Sequence, residues 1–227
     1  MAYGLLKVLT GIIIAVIITI IGVAGIQNIP VGQVALITHF GELQEGVLTE
    51  GWKYVTPVSD ALITYDTRIQ LYPKPLSTYD GQQEVPMIVS TSSDGQDVPI
   101  KFGLNYHVNQ GKVFDIHKKI GSNYEFIVIK NVVENTIKDV MGKYTADYMY
   151  QNREDVANAI EAKLSSNLKN YDGCINCFEL DRFSIANIEF KSQFADALER
   201  KATAKTDAET AWNKVEELKA LAQQKIE

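Results

Sequence analysis

Three histidines, two cysteines and one closely spaced acid–base pair are the side chains here with the most chemistry to offer. Metal binding would need His39, His107 and His117 to share a motif spacing with each other or with carboxylates, and they do not. His107 falls on the polar face of a strand and His117 in a lysine-bearing turn, so both read as solvated surface groups. Cys174-Ile175-Asn176-Cys177 is a Cys-x-x-Cys. A redox pair would sit at a helix N-terminus, where the thiol pKa falls. A zinc site would need a second ligand pair, and the chain has no other cysteine. The pair instead follows Asp172-Gly173 in a stretch that reads as extended from Cys174 to Ile188. A local disulfide would suit an oxidising compartment, but a strand points these side chains to opposite faces, and the reading is structural cysteine. Asp66 and Arg68, two apart on a strand, would make a structural or intersubunit ion pair, or an exposed pair worth little. No Gly-x-Ser-x-Gly, phosphate-cradling loop or dinucleotide fingerprint occurs. The expectation is a protein with no catalytic residues, metal or cofactor.

The elements that carry these residues begin with an apolar run. From Val8 to Ile26 nothing is charged. Val8, Ile12, Ile13, Ile14, Val16, Ile17, Ile18, Ile20, Ile21, Val23 and Ile26 line it, and as a helix it would reach roughly 28 Å. A cleaved signal peptide competes, with Lys7 as its basic residue and Gly22 to Gly25 as its small residues, but its apolar core is usually shorter. The run reads as a retained single membrane anchor. Lys7 precedes it and the next lysine or arginine is Lys53, which predicts a cytoplasmic N-terminus and a body on the other side. With 22 basic and 28 acidic residues, and no basic cluster, nucleic acid is excluded as a partner. Trp52 and Tyr54, close after the anchor, suit a membrane interface, within a segment Gly46 to Val58 that is the best candidate to touch lipid.

Beyond the anchor the pattern alternates between strand and helix periods. Val34 to Phe40, Trp52 to Val55 and Ala61 to Leu71 read as strands. Val98, Ile100, Phe102, Leu104, Tyr106 and Val108 recur at period two, and Asp94-Gly95 predicts a hairpin joining that strand to Met87–Thr91. Ser122 and Glu125 fit a capping box, followed by Phe126, Ile129, Val133, Ile137 and Val140 at helical spacing up to Gly142. Asn152 opens a second helix with Val156, Ile160, Leu164 and Leu168 on one face. No glycine follows Gly173 and no proline follows Pro99, so one helix can run from about Lys191. Phe194, Ala197, Lys201, Ala204, Ala208, Ala211, Val215, Leu218 and Ala222 form its heptad seam, alanine-rich and suited to lateral packing of identical helices; a lone amphipathic helix fits as well.

The order of these motifs resembles the SPFH (Band 7) family of stomatins, prohibitins and flotillins. Carrying it are Ile29-Pro30-Val31-Gly32-Gln33-Val34, His39-Phe40-Gly41, Glu50-Gly51-Trp52-Lys53-Tyr54-Val55-Thr56-Pro57 and Tyr65-Asp66-Thr67-Arg68. Ser93-Asp94-Gly95-Gln96-Asp97-Val98, Asn152-Arg153-Glu154, Ile185-Ala186-Asn187-Ile188 and Phe194 to Lys201 complete it. His39 stands where many members carry arginine, and Glu50 where many carry proline. The single anchor and helix pattern are most similar to prohibitins and the bacterial regulators of AAA membrane proteases.

The resemblance implies an α+β fold: a tail (residues 1–7), a transmembrane helix (8–26), a first, mostly β subdomain (27–110), a second α/β subdomain (111–190) and a long coiled-coil-like helix (191–227). It implies a non-enzymatic scaffold that assembles into large rings or cages around a membrane patch. Partners would be copies of itself or an alternating paralogue, membrane lipids, and an AAA membrane protease or another membrane protein. Two other classes are weighed beside it: a small-oligomer tethered adaptor recruiting one protein, and a tethered thiol enzyme using Cys174 and Cys177.

Overall fold

One long strand, Asp97–Val108, organises the body, and its alternation is complete. Val98, Ile100, Phe102, Leu104, Tyr106 and Val108 are at most 1% exposed, while Pro99, Lys101, Gly103, Asn105 and His107 are half-exposed between them. The structure is a computed structural model describing residues 2–74, 76–77, 83–84, 86–189 and 192–224. Within these, side chains at 2–8, 17–18, 21, 76–77, 83–84, 192–195, 198–199, 202 and 218–224 lie outside the description.

In chain order, helix α1 (Ala2–Ala24) is followed by strands β1 (Ile26–Ile29), β2 (Gln33–His39), β3 (Glu42–Leu43), β4 (Gly51–Tyr54), β5 (Asp60–Asp66) and β6 (Gln70–Tyr72). Next come β7 (Leu76–Ser77), β8 (Gln83–Glu84), β9 (Met87–Thr91) and β10 (Asp97–Val108). Helices α2 (Val113–Lys119), α3 (Asn131–Met141), α4 (Ala146–Gln151) and α5 (Arg153–Lys169) precede β11 (Phe178–Ile188) and α6 (Ser192–Gln224). The sheets are β1-β4, β3-β2-β5, β7-β8, and a larger one in which β11, β6 and β9 all pair antiparallel with β10.

The hairpin at Asp94-Gly95 joins β9 to β10 as the sequence predicts, with Gly95 at φ +77°. Against the inner face of β10 lie α3 and α5. Val156, Ile160, Leu164 and Leu168 of α5 and Val133 and Ile137 of α3 are all fully buried. The same core reaches Val34, Leu36 and Tyr65 of the smaller sheet, so the two sheets share one apolar interior.

Several expectations are corrected. The anchor run does not stay helical to Ile26: α1 ends at Ala24, and Ile26 is the first residue of β1. The third strand is two strands in different sheets, because the Arg68 amide turns back to the Asp66 carboxylate (3.0 Å) and Thr67 N–H bonds to the Gly32 carbonyl. Asp66 and Arg68 therefore do not share a strand face. Ser122 makes no capping box: the helix begins at Tyr124 without a side-chain cap and continues as a π-turn over Glu125–Lys130. The wider turn shifts the helical phase, so Phe126 points outward at 59% exposed while Val128 and Ile129 are buried. Lys130 Nζ covers the Phe126 ring at 4.6 Å. β11 starts at Phe178, so Cys174 and Cys177 lie in the preceding turn, where they are disulfide-bonded with Cα atoms 5.6 Å apart. The opposite-face argument fails because that stretch is not extended.

Counting described residues, no helix is long and apolar enough to cross a membrane. The anchor positions Val8, Ile17, Ile18 and Ile21 have side chains outside that description, so the crossing rests on the sequence. Ile12, Ile13, Ile14, Val16, Ile20 and Val23 are all at least 50% exposed on α1.

Ser90 Oγ, on the buried side of β9, has no hydrogen-bond partner. Removing it eliminates a desolvated hydroxyl without leaving a partner orphaned. Ser90→Ala is expected to stabilise the fold by about 1 kcal/mol, read as a raised thermal midpoint; a lowered midpoint would show that the hydroxyl is satisfied.

Candidate membrane-facing and assembly surfaces

No linker separates α1 from the sheet. Gly25 alone stands between Ala24 and Ile26, and its carbonyl accepts the Val55 amide at 2.8 Å. A Cβ on Gly25 would lie 2.6 Å from both the Tyr54 ring and the Val55 carbonyl, so only glycine allows this approach. β1 and β4 pair with Ile26 opposite Tyr54 and Asn28 opposite Trp52. Opposed residues in an antiparallel pair share a face. Ile26, Trp52 and Tyr54 therefore stand together, 50%, 73% and 60% exposed, at the foot of α1, while Ile29 on the other face is buried.

The neighbouring turns add Phe40 and Val58, both largely exposed. Asp60 holds them in place. Its carboxylate accepts from Ser59 Oγ at 2.8 Å and the Thr56 amide at 3.1 Å, and lies 2.6 Å from His39 Nδ1. The Phe40 amide donates to the Ser59 carbonyl. His39, which stands where many members of the family it resembles carry arginine, is thus part of a clasp. These hydrogen bonds, that to His39 foremost, hold the Asp60 carboxyl down from its ordinary 3.8 to about 2.

Asp66 and Arg68 form a forked ion pair within the chain, Nε to Oδ1 at 2.9 Å and Nη2 to Oδ2 at 2.6 Å. The Arg68 stem lies against Gly32, which has φ +79°, so the pair clamps the turn between β1 and β2. His117 is on α2 rather than in a turn, half-buried, with Nδ1 2.7 Å from Tyr65 Oη; it joins α2 to β5. His107 faces Asp181 across β10 and β11 at 2.8 Å. The three histidines are thus dispersed among separate pairs, and no cluster of three or more metal-ligating side chains exists among the described residues.

On α6, Ala197, Lys201, Ala204, Ala208, Ala211 and Val215 are exposed; Phe194, Leu218 and Ala222 have side chains outside the described residues. Lys201, which interrupts the seam, binds Asp147 of α4 at 2.8 Å, and Gln151 donates to the same carboxylate at 2.6 Å. Lys201 lowers the Asp147 carboxyl below its ordinary value. Trp212, 65% exposed, is absent from the seam as read from the heptad. Its spacing from Ala208 (four) and Val215 (three) puts it on the same flank, a signal that a strict three–four count from Phe194 passes over.

Because the folded-state pKa of Asp60 is depressed, its contribution to stability is complete above the ordinary carboxylate value and is lost as pH falls from about 4 through about 2. The wild-type thermal midpoint is expected to fall across this window more steeply than that of Asp60→Asn. Parallel curves would remove Asp60 from the clasp.

Comparison with known proteins bears on what these surfaces serve. The family model for the SPFH domain / Band 7 family matches residues 27–224. Among curated relatives, "Prohibitin-7, mitochondrial" of Arabidopsis thaliana is 26% identical over 189 residues, covering 83% of this chain and 62% of the relative. "Prohibitin-2" of Dictyostelium discoideum is 24% identical over 193 residues, covering 85% and 60%. "Prohibitin-2" of Gallus gallus is 25% identical over 186 residues, covering 82% and 56%. The chain thus spans less than two thirds of these relatives' lengths. With most of its body matched from β1 into α6, this chain belongs to the SPFH domain / Band 7 family.

Proposed function

We propose that this protein is a non-enzymatic, membrane-anchored scaffold. In this reading α1 spans the bilayer once, with the N-terminus cytoplasmic and the body on the opposite side. Ile26, Trp52 and Tyr54 rest in the headgroup region. The observation that carries the reading is the direct passage of α1 into β1. A helix of 23 residues, about 34 Å at 1.5 Å per residue, whose described side chains are exposed but for Gly22, adjoins a sheet face bearing two exposed aromatic rings. Aromatic side chains with polar tips favour such an interface. Family membership supports a scaffold role, as do the exposed seam and Trp212.

Neighbouring copies, or an alternating paralogue, pack through the segments 27–110 and 111–190, taken as two subdomains, and through α6. Head-to-tail contacts of this kind close into rings when the rotation between copies allows. The ring would enclose a membrane patch and confine membrane proteins within it, an AAA membrane protease among them. Function would then reside in the wall that many weak contacts build.

Detergent-extracted wild-type protein is expected to give large closed particles in single-particle electron microscopy. Ala204→Glu, Ala208→Glu and Ala211→Glu together should disperse them while leaving the body folded. Large particles in that variant would sink the seam assignment, and wild-type monomers or dimers would favour a tethered adaptor. In a Trp212→Phe background, Trp52 emission should be quenched by bilayers with brominated acyl chains; unquenched emission would remove Trp52 from the interface.

A further inference from the structure

The cysteine pair is the one chemically distinctive feature that the scaffold reading leaves unused. The chain has two cysteines, and both are in the Cys174–Cys177 bond. They are 2% and 0% exposed and belong to the same apolar cluster as Leu168 and Phe178. The turn that holds them is fastened at both ends. The Cys174 amide donates to the Tyr171 carbonyl, and the Asn176 amide, in a residue at φ +56°, donates to the Lys169 carbonyl at 2.7 Å. The Cys177 carbonyl accepts the Asn109 amide at the end of β10.

We propose that this bond is made during folding by a thiol–disulfide oxidoreductase, and that the body therefore lies in an oxidising compartment, on the membrane face away from the cytoplasm. Thiol–disulfide exchange requires a thiolate to reach a disulfide sulfur. Neither a protein oxidant nor a small thiol reaches these sulfurs once β11 is packed, so the bond forms before the core closes and then persists. One cysteine thiolate attacks the disulfide of the oxidant, forming a mixed disulfide and releasing one oxidant thiolate. The second cysteine thiolate attacks this chain's sulfur in the mixed disulfide. That closes Cys174–Cys177 and releases the second oxidant thiolate. The chain loses two electrons, the oxidant gains them, and the cysteine protons end on the released thiols. The cytoplasm keeps thiols reduced in most organisms. The charge distribution points the same way independently: Lys7 lies before the apolar run and no lysine or arginine lies between it and Lys53.

Assignment to a membrane face rests on the anchoring of α1, and alkaline carbonate extraction tests that anchoring separately. Full-length protein in its native membranes would be denatured in the presence of N-ethylmaleimide, then reduced and labelled with a polymer-bearing maleimide. The expected result is a gel shift for both cysteines only when reduction precedes labelling. Blocking of both cysteines by N-ethylmaleimide before reduction would overturn the proposal. On sealed vesicles of known orientation, protease should digest the body only from the non-cytoplasmic face; digestion only from the cytoplasmic face would overturn it whatever the thiol result. Release of the protein by carbonate would dismiss the anchor, while the thiol labelling would still decide whether the body folded under oxidising conditions.

Discussion

Burial of one face of β10 is the constraint from which the architecture follows. Six side chains at period two must leave water together, and a single strand cannot bury them alone. β9, β6 and β11 supply the hydrogen-bonded neighbours, and α3 and α5 supply the apolar cover. The smaller sheet joins this unit through Val34 and Leu36 in the shared core and through polar and aromatic contacts beside them: Tyr65 against His117 and Tyr124, and Gln70 against Tyr106 and Tyr124.

These latter contacts are polar or aromatic, whereas the packing of α3 and α5 on each other is mostly aliphatic, through Val133, Ile137, Val156, Ile160, Leu164 and Leu168. The aliphatic core tolerates little rearrangement because close packing penalises any void. The tyrosine-rich seam carries directional hydrogen bonds, which fix the orientation of the smaller sheet relative to the larger one. Burial raises the Tyr65 phenol to about 12, so it stays protonated across ordinary pH and keeps its bond to His117. Orientation of the smaller sheet is therefore set by hydrogen bonding, and bulk at the core by packing.

The sequence made the β10 face, the α5 face and the hairpin at Asp94-Gly95 legible because each is a local, periodic signal. It did not disclose the Asp60 clasp, whose partners come from the end of β2 (His39) and from the turn before β5 (Thr56 and Ser59), brought together by sheet pairing. β1 was hidden because Ile26 continues an apolar run that reads as helix, and only its pairing with β4 reveals it as strand. The π-turn at Glu125–Lys130 defeated the helical count for the same kind of reason: one extra residue per turn is invisible to a fixed period. The apolar residues from Cys174 to Ile188 read as one extended run, but Asp172-Gly173 and Asn176 form a turn that delays β11 to Phe178. Trp212 lies outside the strict three–four register counted from Phe194, which is why that register does not include it.

The single glycine between α1 and β1 makes helix and sheet mechanically one piece. Its carbonyl accepts the Val55 amide, and the space a Cβ would take is filled by the Tyr54 ring and the Val55 carbonyl. Under the proposed anchoring, a lean of α1 would lean the β1–β4 ribbon by the same angle. A bilayer that thins or thickens changes helix lean. Bilayer thickness would thus be geared directly to the angle at which neighbouring bodies meet, and so to the diameter at which a wall of them can close.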